Sequence, residues 1–275
     1  MSRAREVTSG VVGGGRVRPP LSPRTRFLRL TERNVVGYAR AWPILVTGLL
    51  EPLLYLLSIG FGVGALVGDV EYGSGSIPYP VFVGAGMLAT AAMNSAVFDT
   101  TLNFFLRLKH ARLYDAVLAT PLEPRDVAVG EVAWSLLRSA LYSAAFLVTM
   151  ALLGLVQSWW AVAAFPVTVL LGVAFASAGL AAGTFIRSFL DFEYITLVVT
   201  PLFLLSATIF PLSEYPGWLA AIIRVTPLYQ GVALNRACIT GQVHIGLLAH
   251  VAYLLVMVVV GVRVAARRID RRLRR

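Results

Sequence analysis

Three ionisable side chains stand inside long apolar runs of this chain: Glu51, Asp99 and Arg138. If each run is a membrane-crossing helix, Glu51 lies about 13 Å from Trp42, Asp99 about 12 Å from Arg107 and Arg138 about 10 Å from Glu131, at 1.5 Å per residue. All three then sit at similar depth in one half of the membrane. A lone charge there costs at least roughly 2.5–3.5 kcal/mol on insertion scales, so partners are required. The expectation is an intramembrane charge network in which Arg138 pairs with Glu51, Asp99 or both and fastens the first three runs together. A charge-lined substrate path is the other reading of the same residues.

Catalytic chemistry finds no support. The sequence has no Gly-x-x-x-x-Gly-Lys-Ser/Thr phosphate loop, no His-Glu-x-x-His and no Gly-x-Ser-x-Gly. His110, His244 and His250 are scattered without ligand spacing, and Cys238 is the single cysteine, so neither a metal site nor an intrachain disulfide is expected. Gly60, Gly64 and Gly68 recur every four residues, as do Gly179 and Gly183. Small residues at that interval let helices approach closely, and packing is the reading preferred over contact with a substrate.

The elements that must position these residues are membrane spans. The 275-residue chain is 57% hydrophobic and only 14% charged, where soluble domains average about 25% charged. Its net charge of +10 does not indicate nucleic-acid binding, because the arginines lie in the gaps between apolar stretches. Stretches long enough to cross, about 20 residues each, occur near 42–67, 80–105, 131–155, 159–186, 194–211 and 244–264. All but three of the 24 Lys and Arg residues fall on one side if the N-terminus is inside; the exceptions are Arg138, Arg224 and Arg236. The positive-inside rule therefore places both termini in the cytoplasm of a bacterial plasma membrane.

Between the spans, residues 1–21 read as a disordered cytoplasmic leader and 22–41 as an amphipathic interfacial helix, with Arg26, Arg29, Arg33 and Arg40 along one arc. The transmembrane domain is expected over 42–264 and a basic cytoplasmic tail over 265–275. The inner loop 107–130 suits a short helix stopped before Pro121, hung under the membrane where a soluble partner could dock. Residues 211–240 are apolar but interrupted by Pro211, Pro216, Gly217 and Pro227, and they carry Glu214, Arg224 and Arg236. One or two short helices dipping into the outer leaflet are expected there.

Three separated motifs carry a resemblance. Leu118-Ala119-Thr120-Pro121-Leu122 is followed by Asp126, Gly130-Glu131 and Trp134. Phe210-Pro211-Leu212 is followed by Pro216, Trp218-Leu219, Pro227-Leu228 and Arg236, and Glu51-Pro52 precedes Leu54-Tyr55-Leu56-Leu57. From about residue 25 to 265 the chain resembles the ABC-2 type transporter permeases, most of all the branch of lipo-oligosaccharide (nodulation-factor) and daunorubicin-type drug export permeases.

The resemblance implies an all-α integral membrane fold of six transmembrane helices, with the N-terminal interfacial helix, a cytoplasmic coupling helix at about 111–130 and an outer re-entrant segment at about 211–240. It implies a second permease subunit, identical or not, and a separate ABC ATPase that holds ATP and Mg, with no cofactor on this chain. Arg112, Tyr114, Asp115, Thr120, Pro121, Asp126 and Glu131 would couple to that ATPase. Pro211, Pro216, Trp218, Pro227 and Arg236 would shape the outer segment. Three positions depart from the family pattern: Gln230 stands where histidine is common, Ala233 where an acidic residue is common and Asp99 where glutamate is usual. The cavity of such a dimer would be lined by spans one, two and five and would suit an amphiphile: a drug, a lipid or a lipid-linked saccharide. An ion-coupled transporter or channel, and a membrane enzyme using Glu123, Asp126 and Glu131, are the competing classes.

Overall fold

The computed structural model describes residues 50–73, 75–103, 105–106, 124–186 and 188–273, with backbone alone at 103, 124–131 and 269–273. The expected leader and interfacial helix, and Arg112, Tyr114, Asp115, Thr120 and Pro121, lie outside the described residues. Asp126 and Glu131 are described only by their place in a helix that opens at Pro124 and runs on through the third span.

The first apolar run forms helix α1, Leu50–Val67. It ends at Gly68, whose φ of 73° turns the chain into a hairpin of β1 (Asp69–Tyr72) and β2 (Gly75–Pro78). The strands are antiparallel, and the opposed pair Val70 and Ile77 is their buried pair. Helix α2 spans Tyr79–Leu102, with a proline in its first turn, where a missing N–H costs nothing. Helix α3 (Pro124–Leu152) and helix α4 (Ala161–Gly183) follow. Helix α5 is Phe192–Leu204, α6 is Gly217–Val225, α7 is Pro227–Thr240 and α8 is Leu247–Leu273.

Composition decides which helix is central. In α2, 89% of the span is buried, against 22% for α1 and 17% for α8. Around α2 and α4 the spacing is set by missing side chains. A Cβ on Gly172 of α4 would lie 2.1 Å from Ser139 Oγ of α3, and one on Gly179 would lie 2.3 Å from Thr100 Oγ1 of α2. On α8, a Cβ at Gly261 would meet Ser177 Oγ of α4 at 2.5 Å. Close approach through small residues replaces the hydrophobic driving force that lipid does not supply. Gly60 and Gly64 pack on the start of α2, against Pro80, and Gly183 is buried at the end of α4. Gly68 differs from the packing expectation. Helix α1 has already ended, no atom lies within 4 Å of a Cβ there, and its role is the turn.

Five helices among the described residues are long and apolar enough to cross a membrane. The sequence led to six, and the run 194–211 is where the structure differs. Helix α5 has 13 residues, about 20 Å, where a hydrocarbon core measures about 30 Å. Past Leu204 the backbone is irregular, and Ala207 adopts φ 55°, rare for a residue with a side chain. The segment survives because Ser206, Ala207 and Thr208 are buried in protein. Thr208 packs on Gly86 of α2, where a Cβ would sit 2.7 Å from its Cγ2.

The two ends of α4 carry different markers. The Trp159 and Trp160 rings lie 4.5 Å apart just before it. Beyond its other end, the Arg268 guanidinium of α8 lies 3.4 Å from the centre of the Phe185 ring.

Candidate functional site

The buried charge pair joins two helices. Arg138 Nη1 of α3 lies 2.7 Å from Asp99 Oδ1 of α2, and both side chains are buried. Asp99 opens a wider, π-helical turn that runs to Asn103. On α3, Ser135, Arg138, Ser139, Tyr142 and Ser143 recur every three or four residues and form one buried polar face. Glu51 is not part of this pair: it is exposed and borders a cleft instead. A buried pair of this kind holds its helices together strongly once formed, because removing one partner strands the other charge.

The cleft measures about 350 Å³ and is bounded by three helices. Helix α1 contributes Glu51, Pro52 and Tyr55; α2 contributes Met87, Thr90, Asn94 and Val97; α5 contributes residues between Ile195 and Leu204. Most of the wall is apolar. Thr90 and Thr196 turn their hydroxyls back to Gly86 O (3.0 Å) and Phe192 O (3.3 Å) of their own helices. The Glu51 carboxylate and the Asn94 amide supply an anionic acceptor and a donor–acceptor pair. A second cavity of about 290 Å³ lies across α5, against Phe175 and Gly179 of α4 and Met257 of α8, and Ile195 and Val199 border both. Helix α5 is thus a partition between two cavities. No residue of it is fully buried, and the Tyr55–Phe203 rings, 5.9 Å apart, connect it to α1.

The interrupted segment is tied to the bundle by polar groups. Pro211 precedes a short 3-10 turn, Pro216 precedes α6 and Pro227 opens α7. Trp218 is exposed on α6. Gln230 of α7 donates to Arg224 O at 2.5 Å and bonds the His250 ring of α8. Tyr253 of α8 donates to Val225 O at 2.9 Å, and these bonds together fill the carbonyl end of α6. Thr168 Oγ1 of α4 lies 2.9 Å from Asn235 Oδ1. Arg236 Nη2 donates to Phe82 O (3.2 Å) and Ala207 O (2.8 Å), which holds the unusual Ala207 backbone against α2. Sequence reasoning missed Asn235 and His250 as structural ties. Their signal was a strong hydrogen-bonding group in an apolar helix, which must find a partner.

The profile of the ABC-2 type transporter family matches residues 25–240, a stretch that holds the ion pair, the cleft and the interrupted segment. The chain belongs to this family. Nodulation protein J of Rhizobium leguminosarum bv. trifolii is 34% identical over 251 residues, covering 90% of this chain and 94% of that protein. Nodulation protein J of Rhizobium meliloti (strain 1021) is 32% identical, covering 80% and 84% respectively. The inner membrane transport permease YadH of Escherichia coli (strain K12) is 25% identical, covering 82% and 88%. An ABC-2 permease is a multi-pass membrane component of a transporter, and the all-helical bundle is of that kind.

Proposed function

We propose that this chain is the membrane-spanning permease subunit of an ATP-binding cassette exporter in a bacterial plasma membrane, with both termini cytoplasmic. It moves an amphiphile (a drug, a lipid or a lipid-linked saccharide) using ATP hydrolysed, with Mg, on a separate ATPase subunit. A second permease subunit, identical or different, completes the path.

The observation that carries this reading is the cleft between α1, α2 and α5. Its apolar walls suit an acyl or aromatic portion, and Glu51 and Asn94 at its edge suit a hydrogen-bonding head. One wall, α5, has cavities on both sides, so it can shift without breaking a packed core. Force reaches the bundle through the 111–130 segment, where Arg112 and Asp115 engage the ATPase, and through α3, which continues from Pro124 into the membrane.

Two measurements test the proposal. Purification of the full chain in mild detergent with a co-expressed neighbouring ATPase is expected to retain the ATPase. Arg112→Glu with Asp115→Arg is expected to release it while the permease stays folded. A folded wild-type chain that never retains an ATPase overturns the reading. Joining Tyr55→Cys to Phe203→Cys with a short bis-maleimide is expected to stop transport and leave the melting temperature within a few degrees.

A further inference from the structure

A small cavity of about 200 Å³ lies at the hairpin end of the bundle, bordered by Glu71, Tyr72, Ser213, Tyr229, Ala233 and Arg236. Arg236 is the group to explain, because its side chain is 3% exposed and carries a full charge. Its Nη2 is spent on the two main-chain carbonyls, and the face of its guanidinium lies 3.5 Å from the centre of the Phe82 ring. Its Nε is buried without a hydrogen-bond partner. The ion pair between described residues belongs to Arg138 and Asp99, and Glu71 borders the cavity from an exposed position without pairing to Arg236.

Two carbonyl dipoles and a ring face do not neutralise a buried cation, and buried charges normally find a counter-charge. Here the guanidinium lines a cavity that also receives Tyr72, Tyr229 and Ser213, whose hydroxyls can donate. Burial pushes the Tyr72 phenol above its ordinary range despite the neighbouring Arg236, so it remains a neutral donor. Guanidinium edges with flanking hydroxyls recognise oxyanions, and charge assistance roughly doubles the strength of such bonds. The volume is below the roughly 300–1,000 Å³ of pockets for drug-sized ligands, so it admits a headgroup and not a whole amphiphile.

We propose that this cavity is an oxyanion site, in which a phosphate, sulfate or carboxylate group supplies the counter-charge that Arg236 lacks. The structural clamp on Phe82 O and Ala207 O takes Nη2 alone, so an anion in the cavity does not require that clamp to break. The same chemistry fits the phosphate of a membrane lipid and a soluble oxyanion, and the experiment separates the two sources.

The test uses the full chain in mild detergent and needs neither an ATPase nor transport. One arm measures melting temperature with sodium sulfate against sodium chloride at matched ionic strength. The other measures retention of phosphatidylglycerol by native mass spectrometry, against diacylglycerol with the same acyl chains. Ala233→Glu places a carboxylate one turn before Arg236 on the same helix face and fills the role from within. Sulfate is expected to raise the wild-type melting temperature, and affinity for the anion is expected to fall roughly tenfold or more in Ala233→Glu. If that variant fails to fold, Ala233→Leu blocks the cavity without adding charge and is expected to give the same loss. A sulfate response without selective lipid retention assigns the site to a soluble oxyanion; selective phosphatidylglycerol retention assigns it to lipid. Absence of both responses, or equal responses in wild type and a folded Ala233 variant, overturns the proposal.

Discussion

The bundle has a packed half and a loose half, built from nearly the same apolar alphabet. In the packed half, glycines of α2, α4 and α7 seat neighbouring segments closely: Gly86 faces Thr208 beyond α5, Gly172 faces Ser139 of α3 and Gly231 faces Leu171 of α4, each with no room for a methyl group. Buried hydroxyls, Asn235, Arg236 and the Asp99–Arg138 pair add directional ties. In the loose half, α5 stands between two cavities and α1 turns most of its surface outward. Hydrophobicity therefore does not decide which helices are held. The distribution of the smallest and the most polar residues does.

The largest effect that tests this contrast is at the charge pair. Asp99→Ala is expected to destabilise the bundle by about 3–5 kcal/mol, read as lost yield or a lower melting temperature in detergent, because Arg138 is left buried. Asp99→Leu combined with Arg138→Leu should recover most of that loss. If the single and double variants melt alike, the pair is not what fastens α2 to α3. Next is Gly172→Val, expected to cost about 1–3 kcal/mol through overpacking on Ser139. Gly62→Ala on α1, with nothing within 4 Å of the new methyl, should be neutral or slightly stabilising. The smallest effect is on α5: Leu197→Ala, on its exposed face, is expected to stay within about 0.5 kcal/mol. A large loss there would show α5 to be held as firmly as α2.

The long helices were legible because apolar runs of membrane length have few other uses. The hairpin at 69–78 was not, since four-residue strands around glycines look like an acidic loop. The end of α5 was also hidden. The run continues apolar to residue 211, and what stops the helix is tertiary: Thr208 seated on Gly86, and Arg236 holding the Ala207 carbonyl. Rise along a helix can be counted from sequence, and on that count Glu51, Asp99 and Arg138 are expected at one level. Which way each side chain points around its helix cannot, and that angle assigns Asp99 to Arg138 and Glu51 to the cleft. Gly68 shows the same limit, because a four-residue repeat carries a packing face only while the helix lasts.

The markers at the two ends of α4 also fix a thickness. From the tryptophan pair to the Arg268–Phe185 contact the chain rises through 23 helical residues, about 35 Å. Indole rings settle at the headgroup level and an arginine end reaches for water, so this length is the bundle's own gauge of the bilayer. Lipids with much shorter or longer chains force a mismatch that costs fractions of a kcal/mol per Å. A bundle pinned through α2 and α4 passes that strain to its weakest wall, α5. The expected consequence is that acyl-chain length alters the width of the cleft before it disturbs α2 or α4.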